Sequence, residues 1–211
     1  MNIVDKFLQQ SNWIEAEYGE RAMRDAVKAW DYLYSHRKEK LKLKHILKVH
    51  SVLMKNLNKN IAGKLREQNV YIGGECKEFK GLFKLKKELG NFINAYEYIY
   101  SSRHLYSREE LETKIRENHV LYENIHPFVD GNGRSGRILY NLLRKKCGLS
   151  IHVIQGKGKD DDGYPKEQLD YYKWFQDFLQ LISLLSINLI FLISNLIHDN
   201  LLFPKSYSTI V

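Results

Sequence analysis

Cysteine is scarce: Cys76 and Cys147 are the only two in 211 residues. They lie far apart and in no CxxC pattern, which excludes a disulfide framework and a thiolate zinc site and fits a reducing, cytoplasmic setting. Proline is also scarce, with only Pro127, Pro165 and Pro204. Long stretches without breakers, with apolar residues three and four apart, predict an all-α chain. The first residues, "MNIVDKFLQQSNWIEAE", lack the apolar core and small-residue cleavage pattern of a secretory signal. No internal repeat or low-complexity linker interrupts the chain. No P-loop occurs either, because "GKGK" has neither the spacing nor the Ser or Thr such a loop needs.

The chain has the size and composition of a globular protein with one principal domain, 44% apolar and 27% charged. Acidic residues are outnumbered, 25 against 33 basic, for a formal charge of +8. The lysines are spread through "HRKEKLKLKH", "FKGLFKLKKE" and "LLRKKCG" among apolar residues at helical intervals. This is the pattern of solvated helix faces with a general attraction for phosphates. Aromatic residues are not interleaved with the basic ones as a base-stacking platform would require, so no nucleic-acid partner is expected.

Amphipathic helices are predicted over 22–35, with Ala26, Trp30 and Leu33 on one face, and over 41–57, with Ile46, His50, Leu53 and Leu57. Residues 107–125 open on Ser107 and Glu110, a capping-box pair, and carry Leu111, Ile115, His119 and Tyr122 on one stripe. His50 and His119 lie on apolar stripes and read as packed residues. "NVYIGGE", residues 69–75, is the best candidate for extended chain, with Gly-Gly as a hairpin turn. A helix from Ile138 should end on Arg144, Lys145 and Lys146, with Gly148 as its stop. Another helix should begin near Pro165. Residues 178–197 carry no charge for twenty positions, long enough to cross a bilayer. Gln180, Asn188, Asn195 and three serines interrupt that run, and it lacks aromatic belts, so a buried or dimer-forming helix is favoured over a membrane span.

The chemistry is concentrated in "HPFVDGNGRSGR", His126 to Arg137. Glycines at the start of a helix let backbone N–H groups converge, and the helix end adds positive potential, which together make an anion site. Arg134 and Arg137, three apart, share a helical face and can supply forked donors to phosphate oxygens. Asp130 suits such a site only if it recruits a cation, and a single carboxylate with substrate phosphates is a usual way to hold Mg²⁺. His126 can be neutral near pH 7 and accept a proton from a hydroxyl. Gly131, Gly133 and Gly136 also spell GxGxxG, but a helical pattern precedes them and no acidic residue follows at the right distance, so a dinucleotide-binding fold is rejected.

This stretch resembles the HxFx(D/E)GNGRxxR motif of Fic-domain proteins at all eight fixed positions. "HSVLM", "AGKLREQNVYIGG" and "NHVLYENIHPF" are similar to the family's other recurrent stretches, in the same order, so the resemblance spans roughly residues 11–150. It implies a Fic-type helical bundle with a short β-hairpin flap, and an enzyme moving AMP from ATP to a Ser, Thr or Tyr hydroxyl of a target protein. By that resemblance His126 is the base, Asp130 binds Mg²⁺, and Gly131, Asn132 and Gly133 form the anion hole. Arg134 then meets the β- and γ-phosphates, Arg137 the γ-phosphate, and Phe128 anchors the loop in the core. Val70, Tyr71, Ile72 and Gly73 form the flap that positions the target. Arg66 and Asn69 also resemble family positions, but nothing independent assigns them chemistry. Gly133 stands where the phosphotransferase branch, Doc, has lysine, which favours AMP transfer.

"SNWIEAE" resembles the inhibitory (S/T)xxxE(G/N) segment of some members, with Ser11 and Glu15 one turn apart and Glu15 expected on Arg137. Ala16 departs from the usual Gly or Asn. The organisation implied is an inhibitory helical region at 1–38, a Fic domain at 39–178 and an apolar helix and tail at 179–211. The expected partners are ATP and a target protein; a membrane is disfavoured and a homo-oligomer stays open. Removal of AMP by the same glutamate, or a non-catalytic binding module, are the alternatives.

Overall fold

The computed structural model describes residues 1–72 and 75–175. The chain divides into two units, Met1–Tyr172 and Lys173–Val211, and the candidate site lies wholly in the first. The first unit is helical, with one two-stranded hairpin. Its helices are α1 (Ile3–Ile14), α2 (Glu20–Ser35), α3 (Leu43–Met54), α4 (Leu82–Ser102), α5 (Arg108–Ile125) and α6 (Asn132–Lys146). The strands β1 (Val70–Ile72) and β2 (Glu75–Lys77) pair antiparallel with Tyr71 opposite Cys76. Residues 166–172 are also helical, beginning right after Pro165.

Helix α6 is the axis of the unit. It is buried on almost every side from Asn132 to Arg144, and α1 to α5 all pack against it. A helix covered all round must be apolar or have its polar groups paired. Here the N-terminal half carries the paired polar groups of the motif, and Ile138, Leu139, Leu142 and Leu143 fill the core below. The helix ends in a Schellman motif: Gly148 at φ 81° donates to Lys145 O at 3.2 Å, and Leu149 donates to Arg144 O at 2.8 Å. Helix α5, its neighbour, starts on the expected capping box, with Ser107 N 2.8 Å from Glu110 Oε2 and Glu110 N 3.3 Å from Ser107 Oγ.

Helix α3 is shorter than its apolar stripe suggests. It stops at Met54, and Leu57 is 38% exposed instead of buried. The asparagine-rich "NLNKN" that follows favours turns, and Asn56 is drawn away to Asp25, with Nδ2 2.6 Å from Oδ2. The flap residue Gly73 and the uncharged run 178–197 lie outside the described residues. Among the described residues no helix is long and apolar enough to cross a membrane.

Candidate active site

The loop from His126 to Gly131 joins the end of α5 to the start of α6, and side chains from beneath hold it in place. Gly131, the N-cap of α6, takes φ 75°. A Cβ there would stand 2.8 Å from Met54 Sδ and 3.2 Å from His50 Nε2, so only glycine fits. Asn132 Oδ1 accepts from Phe128 N at 2.9 Å and its Nδ2 donates to Phe128 O at 3.0 Å. The Asn132 side chain therefore braces the loop. Ser135 Oγ donates within the first turn of α6 and is met by Tyr122 Oη at 2.9 Å.

Phe128 is fully buried and stacks on His50 with ring centroids 3.6 Å apart. His50 is packed, as its stripe predicts, but it also does polar work. Nδ1 accepts from Gly63 N at 2.9 Å, so the proton must sit on Nε2, which donates to Asp130 O at 2.8 Å. Burial pushes the His50 pKa down to about 4, in keeping with that neutral tautomer. The Asp130 side chain stays 63% exposed, with Oδ1 2.5 Å from Gly131 N and Oδ2 3.9 Å from Arg134 Nη2.

His126 ends α5 in the left-handed conformation at φ 48°, which turns its ring out of the helix. Its Nδ1 lies 3.3 Å from Glu123 O. A carbonyl can only accept, so this contact puts the proton on Nδ1 and leaves the Nε2 lone pair able to take up a proton. Burial lowers the imidazole pKa, so it is neutral at pH 7.

Both arginines are buried. Arg134 touches Met54 Sδ through Nη2 at 3.3 Å, and its buried Nε has no hydrogen-bond partner among the described residues. A buried donor left unpaired in this way is what a bound anion would satisfy. Arg137 is held on three sides. Its Nε donates to Ser11 Oγ at 2.8 Å, Nη2 to Ser11 O at 2.9 Å and to Glu15 Oε1 at 2.8 Å, and Nη1 to Tyr171 Oη at 3.3 Å. The Glu15 carboxylate also lies against the loop, because a Cβ on Gly133 would fall on Glu15 Oε1. Partial burial pushes the Glu15 carboxyl upward, but Arg137, Arg134 and His126 outweigh this and hold it below the usual carboxylate range.

Helix α1 ends in a second Schellman motif. Ala16 donates to Trp13 O and Glu17 to Asn12 O, both at 3.0 Å, with Ala16 at φ 56°. The position after the glutamate is thus a left-handed C′, which explains why Gly or Asn suits it. Glu123, under α6, has its carboxyl pushed up to about 8 by burial, with the Glu15 charge adding to the effect.

Arg66 and Asn69, which sequence reasoning left without a role, brace the hairpin. Arg66 Nε donates to His126 O at 2.8 Å, Nη1 to Gln68 O at 2.9 Å and Nη2 to Glu78 O at 3.2 Å. Asn69 Oδ1 accepts from Phe79 N at 2.8 Å. Of the flap residues, Val70 is buried and Tyr71 is 73% exposed. No cluster of three or more potential metal ligands occurs among the described residues. The exposed, lone Asp130 carboxylate instead fits an ion delivered with nucleotide phosphates.

The model of the Fic/DOC family matches residues 40–143. Among curated proteins, the chain is similar to a protein adenylyltransferase Fic of Drosophila virilis, 29% identical over 65% of this chain and 25% of that protein. The corresponding protein of Drosophila willistoni is 30% identical over 65% of this chain and 24% of that one. The chain thus spans about a quarter of the length of these relatives. Among solved structures, a Fic domain containing signaling protein from Bacteroides thetaiotaomicron superposes with a TM-score of 0.57 at 19% identity, over 72% of this chain and 66% of that one. Fic-1 from C. elegans gives 0.54 at 19% identity, over 72% and 50%. The fold is shared with these two, and residues 40–143, just under half of the chain, match the Fic/DOC family.

Proposed function

We propose that the protein transfers AMP from ATP to a hydroxyl of a target protein, releasing pyrophosphate, and that the conformation described is its inhibited form. One observation carries this reading: an anion already occupies the anion site. The Glu15 carboxylate sits between the glycine loop and the Arg137 guanidinium, where the terminal phosphate of a nucleotide would meet the same donors.

In the reaction, Nε2 of His126 takes the proton of the incoming hydroxyl as its oxygen bonds to the α-phosphorus. The bond from that phosphorus to the bridging oxygen breaks, and the electrons leave on pyrophosphate. The backbone N–H groups at the start of α6 and the free Nε of Arg134 face the charge that develops. Asp130 would hold Mg²⁺, which supplies charge neutralisation to the phosphates when bound. Arg137 completes the γ-phosphate contact once Glu15 has left it.

The relatives named protein adenylyltransferase support this chemistry. A second reading draws on Glu15 itself. Its side chain is ionised, 36% exposed and beside Gly133, so it could act as a base for water and remove AMP from a modified target.

Intact-mass analysis of Glu15→Gly after incubation with Mg·ATP, beside the unchanged chain and Glu15→Gly/His126→Ala, tests the proposal. An AMP-sized gain confined to the single variant is the expected result. A phosphate-sized gain would overturn it in favour of reversed ATP binding. Loss of that AMP on adding the unchanged chain would support the second reading.

A further inference from the structure

Between the foot of the hairpin and the start of α4 lies a cavity of about 280 Å³ that the AMP-transfer chemistry does not use. Arg66, Lys77, Lys80 and Lys84 line it, against two carboxylates, Glu78 and Glu88. One of those carboxylates is already engaged, with Glu78 Oε2 3.6 Å from Lys80 Nζ. The cations are therefore in excess. Lys77 is partly withdrawn from water: burial pushes its pKa down, Glu88 offsets part of this, and the charges of Arg66, Lys80 and Lys84 add to the lowering, so positive charge outweighs the two carboxylates around it. The wall formed by α4 adds to it: Gly81 is the N-cap, with no side-chain cap, and no acidic residue occupies the first turn.

The cavity adjoins the reacting group. Arg66 lines it and also donates to the His126 carbonyl at 2.8 Å, and the charge of Lys77 is felt at the His126 imidazole. A polypeptide that laid its hydroxyl against His126 along the hairpin would bring its neighbouring side chains to this cavity. From this geometry we infer that the cavity takes an acidic side chain of the target, so that the preferred acceptor is a hydroxyl flanked by Asp or Glu. The inference rests on the AMP-transfer reading for its biological sense. The docking itself is a binding event that can be measured without turnover.

The probe is a fluorescein-labelled peptide with one tyrosine flanked by glutamates, beside the same peptide with glutamines. Anisotropy is read on the Glu15→Gly chain and on versions also carrying Lys84→Glu, Lys77→Gln or both. Lys28→Glu on α2 serves as a charge-matched control, and circular dichroism confirms the fold of each. The glutamate peptide should bind about ten-fold tighter than the glutamine peptide, with the preference falling as salt rises. Lys84→Glu and the double variant should lose the preference while Lys28→Glu keeps it. Equal binding of the two peptides, or a preference surviving both lysine changes, overturns the inference. Displacement of the peptide by equimolar inorganic phosphate would also overturn it, since that marks a small-anion site. With Mg·ATP added, binding with the predicted preference but no AMP on any peptide would leave the acidic site standing and count against AMP transfer. Transfer without the preference does the reverse.

Discussion

Glu15 Oε1 accepts from Arg137 Nη2 at 2.8 Å, and the same oxygen fills the space that a side chain on Gly133 would need. One carboxylate thus occupies both a guanidinium fork and the mouth of a glycine loop.

That double contact sets the effect of removing the charge. Glu15→Gln keeps the shape but loses the ion pair, and Glu15→Gly loses both, so AMP transfer should rise from the unchanged chain through Gln to Gly. The contact is also sensitive to acid. The folded Glu15 carboxyl titrates below its ordinary value of 4.5, so its stabilisation of docked α1 is present above that value and is lost as pH falls through the lowered one. Hydrogen exchange of α1 at stepped pH should show protection falling only below about pH 4.5. Protection lost near neutrality would point to a different group.

Ala16 follows Glu15 in the left-handed region at φ 56°, where a Cβ is strained. Glycine removes that strain, partly offset by its greater freedom in the unfolded chain. Ala16→Gly should stabilise the fold by about 0.5–1 kcal/mol and raise Tm by ~1–4 °C. It should also slow basal AMP transfer, because the end of α1 that carries Glu15 becomes firmer. Thermal melting and transfer rates measured together check both halves, and a lowered Tm would refute the account.

The proposed mechanism needs His126 neutral to take a proton, and burial lowers its pKa below the ordinary 6.5. The transfer rate of Glu15→Gly should therefore fall to half its plateau only below pH 6.5. A rate that halves above 6.5 would mean that the imidazole is more solvated than its place in the fold implies.

Helices α2, α3, α5 and α6, the capping box at Ser107 and the eight motif positions were legible in the sequence because each depends on local chemistry: period, cap and glycine; α4 was not foreseen. The ion pair between Glu15 and Arg137 joins residues 122 positions apart, and resemblance alone could foretell it. Other roles stayed hidden because an apolar stripe does not reveal its far side. His50 reads as a core residue on α3, and only the fold shows it gripping the Asp130 carbonyl. Asn132 reads as part of an anion hole, and only the fold shows its amide also bonding both the N–H and the carbonyl of Phe128. The buried Tyr171 that meets Arg137 comes from a helix with no motif at all.

Arg66 is another such case. Its donors hold the carbonyls of His126, Gln68 and Glu78, so it couples the hairpin to His126. Lysine has the charge but not the fork. Arg66→Lys should lose roughly 1–3 kcal/mol of stability through unpaired carbonyls. It should slow transfer to protein while leaving ATP affinity, measured by calorimetry, unchanged. A matching loss of ATP affinity would place Arg66 in the nucleotide site instead.

Helix α1 is fastened from behind as well as through Ser11 and Glu15. Gly156 N donates to Gln10 Oε1 at 2.9 Å, and Tyr18 Oη donates to Lys157 O at 3.2 Å. Gly156 lies so close that a Cβ would stand 2.5 Å from Gln10 O and 2.7 Å from Ile14 N, both backbone atoms of α1. Neither can yield without moving the helix. Gly156→Val should therefore lift α1 and raise AMP transfer toward the level of Glu15→Gly with Ser11, Glu15 and Arg137 all intact. Limited proteolysis should cut near Glu15 sooner in this variant. Full inhibition with unchanged proteolysis would mean that the 155–158 segment moves instead, and that the ion pair alone holds α1 in place.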